Sequence, residues 1–201
     1  MFAIIEAAGW PIWPLILASV VAVAIIIERV YSLRTQEVAP PSLLLETIKS
    51  YQERGVTPEL VTRLADGSAM GRVFATALKN AHNSREIMKE SIEEAGRGVA
   101  HVLERFLTTL GTIASLAPLM GLFGTVVGMI EIFGAQTPSG TNPAQLAHGI
   151  SVALYNTGFG LAIAMPALVF FRHFRALVDS FVIDMEQQAV RFVDIVHCAR
   201  K

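Results

Sequence analysis

Residues 107–133 read LTTLGTIASLAPLMGLFGTVVGMIEIF, and residues 146–171 read LAHGISVALYNTGFGLAIAMPALVFF. Together with the small polar turn Gly134–Gln145 they make a stretch with no Lys, Arg or Asp, in which Glu131 is the one formal charge. Each run exceeds the roughly 20 residues that a helix needs to cross a bilayer. Two spanning helices joined by so short a turn are antiparallel neighbours, so the stretch predicts a helical hairpin through a membrane.

The rest of the chain agrees. Of its 201 residues 53% are hydrophobic and 16% charged, with a mean hydropathy of +0.51. A soluble domain carries about a quarter charged residues. The deficit is concentrated in Ala7–Ile27 and in the hairpin, which gives three spans. The expected fold is all-α: three transmembrane helices, two of them prolonged into the cytoplasm as long helices, plus short cytoplasmic helices. The expected segments are an outer N-terminus and first span (1–34), an inner helical segment (35–105), a second span (106–135), an outer loop (136–145), a third span (146–171) and an inner tail helix (172–201).

Orientation follows from the basic residues. All 16 Lys and Arg lie within Arg29–Arg105 or Arg172–Lys201, and loops rich in these residues stay in the cytoplasm. The N-terminus and the turn are therefore expected outside, the middle segment and tail inside. Met1–Leu33 lacks the basic start of a secretory signal, and Arg29 and Arg34 follow its apolar run. Trp10 and Trp13 suit an outer aromatic belt, and Tyr31 an inner one. A net charge of −1 without a charged block argues against nucleic acid as a partner. The single Cys198 excludes an intramolecular disulfide and a cysteine-cluster metal site; neither a metal nor a cofactor is expected.

In the inner segment, Pro40-Pro41 ends the first helix. Ser42 caps a helix to about Arg54, stopped by Gly55; Thr57-Pro58-Glu59 opens a second ending at Gly67; a third runs from about Ser68 to His82. Asn83-Ser84 then caps a helix whose pattern runs on from Arg85 to Phe133, about 70 Å at helical rise. Gly96 and Gly98 within it mark a bend or a close contact. Phe174, Leu177, Val178, Phe181, Met185, Ala189, Phe192 and Val196 continue an apolar stripe along the tail. Short helices of 42–82 are expected to cover some of these stripes and other copies of the chain the rest.

No glycine-rich loop ends in Lys-Ser or Lys-Thr, and His148, Ser151 and Glu131 form no triad, so no catalytic constellation is present. Work by this protein would draw on an ion gradient. Gly124-Thr125-Val126-Val127-Gly128 is a small-xxx-small face that lets helices approach closely, flanked by Gly121. Pro118 and Pro166 lie inside the spans, where neighbours re-satisfy the freed carbonyls. Tight packing without transport is one reading. The other rests on Thr125 near the middle of one span and on Tyr155-Asn156-Thr157 midway along the next. Consecutive residues point about 100° apart, so this triplet serves more than one neighbour, through interhelical hydrogen bonds or water. Glu131, about 9 Å beyond Thr125 by helical rise, is either an interfacial carboxylate or a titrating one.

The run Ala117–Ile130 (APLMGLFGTVVGMI) and the run GISVAL at Gly149–Leu154, followed by Thr157 and GLAIAMPA at Gly160–Ala167, resemble the second- and third-span signatures of the MotA/TolQ/ExbB proton channel family. Three spans with an outer N-terminus resemble its ExbB/TolQ branch more than the four-span MotA branch. The resemblance implies a homopentamer in the bacterial inner membrane whose second and third spans line a pore. An ExbD/TolR-like single-span partner inside that pore carries a titrating Asp, and proton passage drives a TonB-like or TolA-like transducer. It also implies pore-facing roles for Thr125 and Thr157, with Ser151 and Asn156 beside the same path. Many family members have Glu after Gly-Ile-Ala or Gly-Ile-Ser, where this chain has Val152. An ExbB-like motor subunit for TonB-dependent transport, a TolQ-like envelope-maintenance subunit and a non-conducting membrane scaffold are the functions that follow.

Overall fold

A computed structural model describes residues 9–134 and 143–198, with Gln145 and Cys198 by backbone only. The described residues are helical with no strand: α1 (Ile12–Ser32), α2 (Thr35–Val38), α3 (Leu43–Arg54), α4 (Pro58–Gly67), α5 (Ala69–Lys79), α6 (Arg85–Leu103), α7 (Leu107–Gly134) and α8 (Pro143–Cys198). Three of them, α1, α7 and the part of α8 from Leu146 onward, are long and apolar enough to cross a membrane. They divide between two compact units, one from the described parts of 1–28 and 106–173, the other from those of 29–105 and 174–201.

In the first unit, α7 buries Leu107, Leu110, Ala114, Ala117, Gly121, Gly124, Gly128 and Ile132. Steps of three and four residues keep these on one face. Leu15 of α1, Ala117 of α7 and Ala164 of α8 meet in a core with Met120 and Ile163 packed around it. The opposite face of α7 is no less apolar, with Leu119, Leu122, Phe123, Val126, Ile130 and Phe133 exposed. A helix apolar on every side belongs in lipid or against further protein. Trp10 and Trp13 are exposed, as belt residues would be, and Trp10 meets Phe123 edge-on at 6.0 Å between centroids.

The second unit is built from amphipathic helices. Helix α5 packs against both α4 and α6, burying Met70, Phe74 and Leu78 completely. The Phe74 and Phe192 rings lie 5.0 Å apart. Three of the helix starts carry the side-chain caps their sequences promise. Thr57 Oγ1 accepts from Leu60 N at 3.3 Å, Ser68 Oγ from Gly71 N at 3.0 Å and Ser84 Oγ from Ile87 N at 3.4 Å. Ser42 stands before α3 without a side-chain cap.

Three expectations need correcting here. The tail stripe does not wait for other copies: Phe174, Val178, Phe181, Met185, Ala189, Phe192 and Val196 are all buried within one chain. Among the described residues, the large apolar groups left open in this unit are elsewhere, at Val30, Tyr31, Leu45, Ile87, Val102, Ile183 and Val190. Nor does one helix run from Arg85 to Phe133. It stops at Leu103, and Phe106, at φ 63°, precedes the start of α7. Neither Gly nor Pro stands there; long-range partners override local helix propensity. The buried Arg29 donates from Nη1 to Leu103 O at 3.0 Å, and Arg175 pairs with Glu104 at 3.3 Å. Leu103 O is one of the terminal carbonyls that a helix leaves without an intrahelical donor. Helix α6 runs on through Gly96 and Gly98, and neither marks a close approach, since a Cβ on either would meet nothing within 4 Å.

Arg29→Met should cost about 1.5–3 kcal/mol, the range for a hydrogen bond to a charged group. An unfolding titration of the detergent-solubilised protein would show the lowered midpoint. At the other end of α6, Glu86's own backbone N–H and the Ser84 hydroxyl hold the exposed Glu86 carboxyl below its ordinary range. A lowered folded pKa adds stability above the unfolded value and loses it as pH falls through the folded one. The protection factors of the Ile87 and Met88 amides, each rate compared with that of an unstructured chain at the same pH, should therefore fall below about pH 4. Glu86→Gln should abolish that fall.

Candidate functional site: the seam between the second and third spans

Glycine makes the seam between α7 and α8 close. A Cβ on Gly121 would lie 2.9 Å from Asn156 O, 3.1 Å from Thr157 Cα and 3.3 Å from Gly160 Cα. On Gly124 it would lie 2.5 Å from Asn156 Cβ, and on Gly160 2.6 Å from Ala117 O. On Gly128 it would lie 3.3 Å from Gly149 O and 3.5 Å from Ala153 Cβ, and on Gly149 it would run into the Ile132 side chain. The expected packing glycines, Gly121, Gly124 and Gly128, thus share one contact line. Pro118 is half-buried beside it, and Pro166 is exposed on α8.

The polar residues of the spans divide by position. Thr157 Oγ1 has two carbonyls in reach, Gly121 O across the seam and Ala153 O on its own helix, each at 3.4 Å. One proton serves one acceptor well, so this hydroxyl is weakly held. Thr125 Oγ1 donates to Leu122 O at 2.6 Å and is half-buried. Both hydroxyls lie within one helical turn of the Gly121–Asn156 crossing. Asn156 is fully buried, its Nδ2 donating to Val152 O at 3.1 Å. Ser151 Oγ donates to Ala147 O at 2.9 Å, nearly two turns from Thr157. Tyr155 is exposed, so the triplet points three ways. Glu131 is exposed, and Val152 is buried.

Sequence reading found the glycines and the hydroxyls but missed the Gly160–Ala117 and Gly149–Ile132 approaches and the buried Arg29. For the first two, the small residues on α8 were the available signal. For Arg29, position at the end of an apolar run suggests an interfacial charge and nothing more.

Taken together, this is a polytopic helical membrane protein whose second and third spans close on glycine and carry neutral hydroxyl and amide groups along their seam. A profile comparison makes the class specific. The chain belongs to the MotA/TolQ/ExbB proton channel family, whose profile matches residues 65–187. It is 32% identical over 180 residues to the ExbB-like 3 protein of Synechocystis, covering 87% of this chain and 85% of that one. It is 29% identical over 170 residues to the biopolymer transport protein exbB1 of Vibrio cholerae, covering 80% and 72%. To the Tol-Pal system protein TolQ of Pseudomonas aeruginosa it is 28% identical over 165 residues, covering 76% and 69%. The family is one of channel and transport proteins rather than of enzymes.

Proposed function

We propose that this chain is the ExbB-like subunit of a proton-driven motor of the bacterial inner membrane that energises TonB-dependent outer-membrane transport. Membership of a proton channel family and similarity to proteins named as biopolymer transport subunits support the class. The observation that carries the mechanism is the weakly held Thr157 hydroxyl at the glycine seam. A hydroxyl can hydrogen-bond to a carboxyl in either protonation state. It also adds no fixed charge where charge is expensive. In this reading five copies surround an ExbD-like single-span partner, the partner's carboxyl carries the proton, and Thr125 and Thr157 face it. Val152 supplies no acid of its own, so conduction depends on the partner's group. In this reading the N-terminus is periplasmic and the C-terminus cytoplasmic, an orientation supported by the placement of the basic residues.

A TolQ-like role with a TolR-like partner and a TolA-like transducer is the second reading, favoured by the similarity to TolQ. Native mass spectrometry of the complex, gently extracted from its own membranes, tests both. Five copies with a small single-span protein support the motor, and the identity of that protein selects between them. A chain that stays monomeric or dimeric and conducts nothing refutes it. Within the motor reading Glu131, exposed and near the outer end of α7, is an interfacial charge. Glu131→Gln should leave partner-dependent proton flux within about twofold of the parent, a barrier change of about 0.4 kcal/mol. A flux as low as that of a deletion strain would make it part of the path.

A further inference from the structure

We infer that Asn156 and Gly124 form a knob-and-notch lock that fixes how α8 seats on α7, and that Asn156 is thereby a positioning residue for the Thr157 hydroxyl. Among the described residues of the hairpin, Asn156 is the fully buried polar one. Its amide Nδ2 turns back along its own helix to donate to Val152 O at 3.1 Å, a local side-chain-to-backbone bond. Its Cβ and Cγ occupy the space a side chain on residue 124 would need, at 2.5 and 2.7 Å from the Cβ position there. Because Asn156 Cβ is fixed to the backbone, no rotamer of Asn156 relieves that conflict; the helices must separate or turn. Carbon atoms in contact sit about 3.5–4.0 Å apart, so a methyl group on residue 124 demands a displacement of about 1 Å. The bond from Thr157 to Gly121 O, already 3.4 Å long, does not survive such a shift. The lock thus sets the hydroxyl next to it in the chain, and Thr157 is presented as the structure has it only while the side chains at positions 124 and 156 together fill the notch without overfilling it.

The effect on conduction rests on the motor reading, whereas the lock can be measured without it. Gly128 and Ala153 report the seating, since a Cβ on residue 128 lies 3.5 Å from Ala153 Cβ, inside the span of a disulfide. In membranes containing the full complex, Gly128→Cys with Ala153→Cys, in a Cys198→Ser background, should cross-link efficiently on mild oxidation. Adding Gly124→Ala should lower the oxidised-to-reduced ratio at least about fivefold, the factor that 1 kcal/mol gives. Adding Asn156→Gly to that variant should restore the ratio. Gly158→Ala, where a Cβ would meet nothing within 4 Å, should change nothing. If Gly124→Ala does not accumulate, the readout becomes recovery of accumulation by Asn156→Gly. Partner-dependent proton flux, measured with residues 128 and 153 unaltered, should fall with Gly124→Ala and return with the second change. Unchanged cross-linking in Gly124→Ala, or no recovery in the double variant, overturns the lock. Recovered cross-linking with flux still lost overturns the positioning of Thr157. An absence of flux in the parent complex defeats the motor reading, and cross-linking then decides the lock alone.

Discussion

Gly160→Leu is expected to leave almost no folded chain in the membrane, while Gly158→Leu, two residues earlier, is expected to fold. A Cβ on residue 160 falls 2.6 Å from Ala117 O, 3.0 Å from Gly121 Cα and 3.3 Å from Gly121 N. All three are backbone atoms of α7, which cannot swing aside as a side chain can. Adding volume to a packed interior typically costs about 1–3 kcal/mol where side chains can yield, so a leucine set against backbone exceeds that range. Little opposes the loss, because helix association in lipid rests on close packing rather than on the hydrophobic effect. The crossing at Gly121 opens with it, and the core of Leu15, Ala117 and Ala164 is prised apart. A Cβ on residue 158 meets nothing within 4 Å in the chain. Quantitative blotting of membrane fractions, with protease resistance in mild detergent, separates the two. Equal accumulation and equal resistance of both variants would show that the α7–α8 seam is not the close contact described.

What the sequence makes legible is what one residue type decides by itself. Charge segregation marks the three spans, because a Lys or Arg inside a bilayer is costly whatever its neighbours. Thr57, Ser68 and Ser84 were readable as helix starts because capping reaches only three residues along the chain. Gly121, Gly124 and Gly128 announce a close face, although not which residues of α8 meet it. The failures are all long-range. Nothing around Glu104–Phe106 forbids a helix, and the break coincides with contacts from Arg29, 74 residues away in sequence, and from Arg175. Arg29 itself looks like any charge at a membrane edge until the fold encloses it. The expected cover of apolar stripes by short helices of 42–82 is there, with Phe74 of α5 against Phe192; what periodicity does not encode is that the tail stripe needs no further copy of the chain. At the seam the sequence supplies the hydroxyls. That Thr157 turns toward Gly121 O while Asn156 turns back to Val152 O is set by the rotation of α8, which no spacing rule fixes.

Thr157→Val is expected to preserve the complex and remove its partner-dependent proton flux. Valine has nearly the shape of threonine, so the seam at Gly121 stays filled. What is lost is a hydroxyl with two carbonyls at 3.4 Å, near the outer limit of a useful hydrogen bond. Polar contacts between membrane helices average about 0.6 kcal/mol even when well made, so assembly and thermal stability should scarcely change. If the hydroxyl serves conduction by bonding the partner's carboxyl in each protonation state, its removal leaves that carboxyl without a neutral partner on this helix. Flux should then fall at least about tenfold, equivalent to 1.4 kcal/mol on the barrier and more than twice what stability loses. Thr157→Ser, which keeps the hydroxyl and drops a methyl group, should retain most of the flux. Native mass spectrometry counts the chains, and pH-dye quenching in proteoliposomes of the whole complex reads the flux. A Thr157→Val complex that no longer assembles would assign the hydroxyl to structure. One that assembles and conducts as the parent does would remove Thr157 from the proton path and leave Thr125 as the remaining hydroxyl near the Gly121–Asn156 crossing.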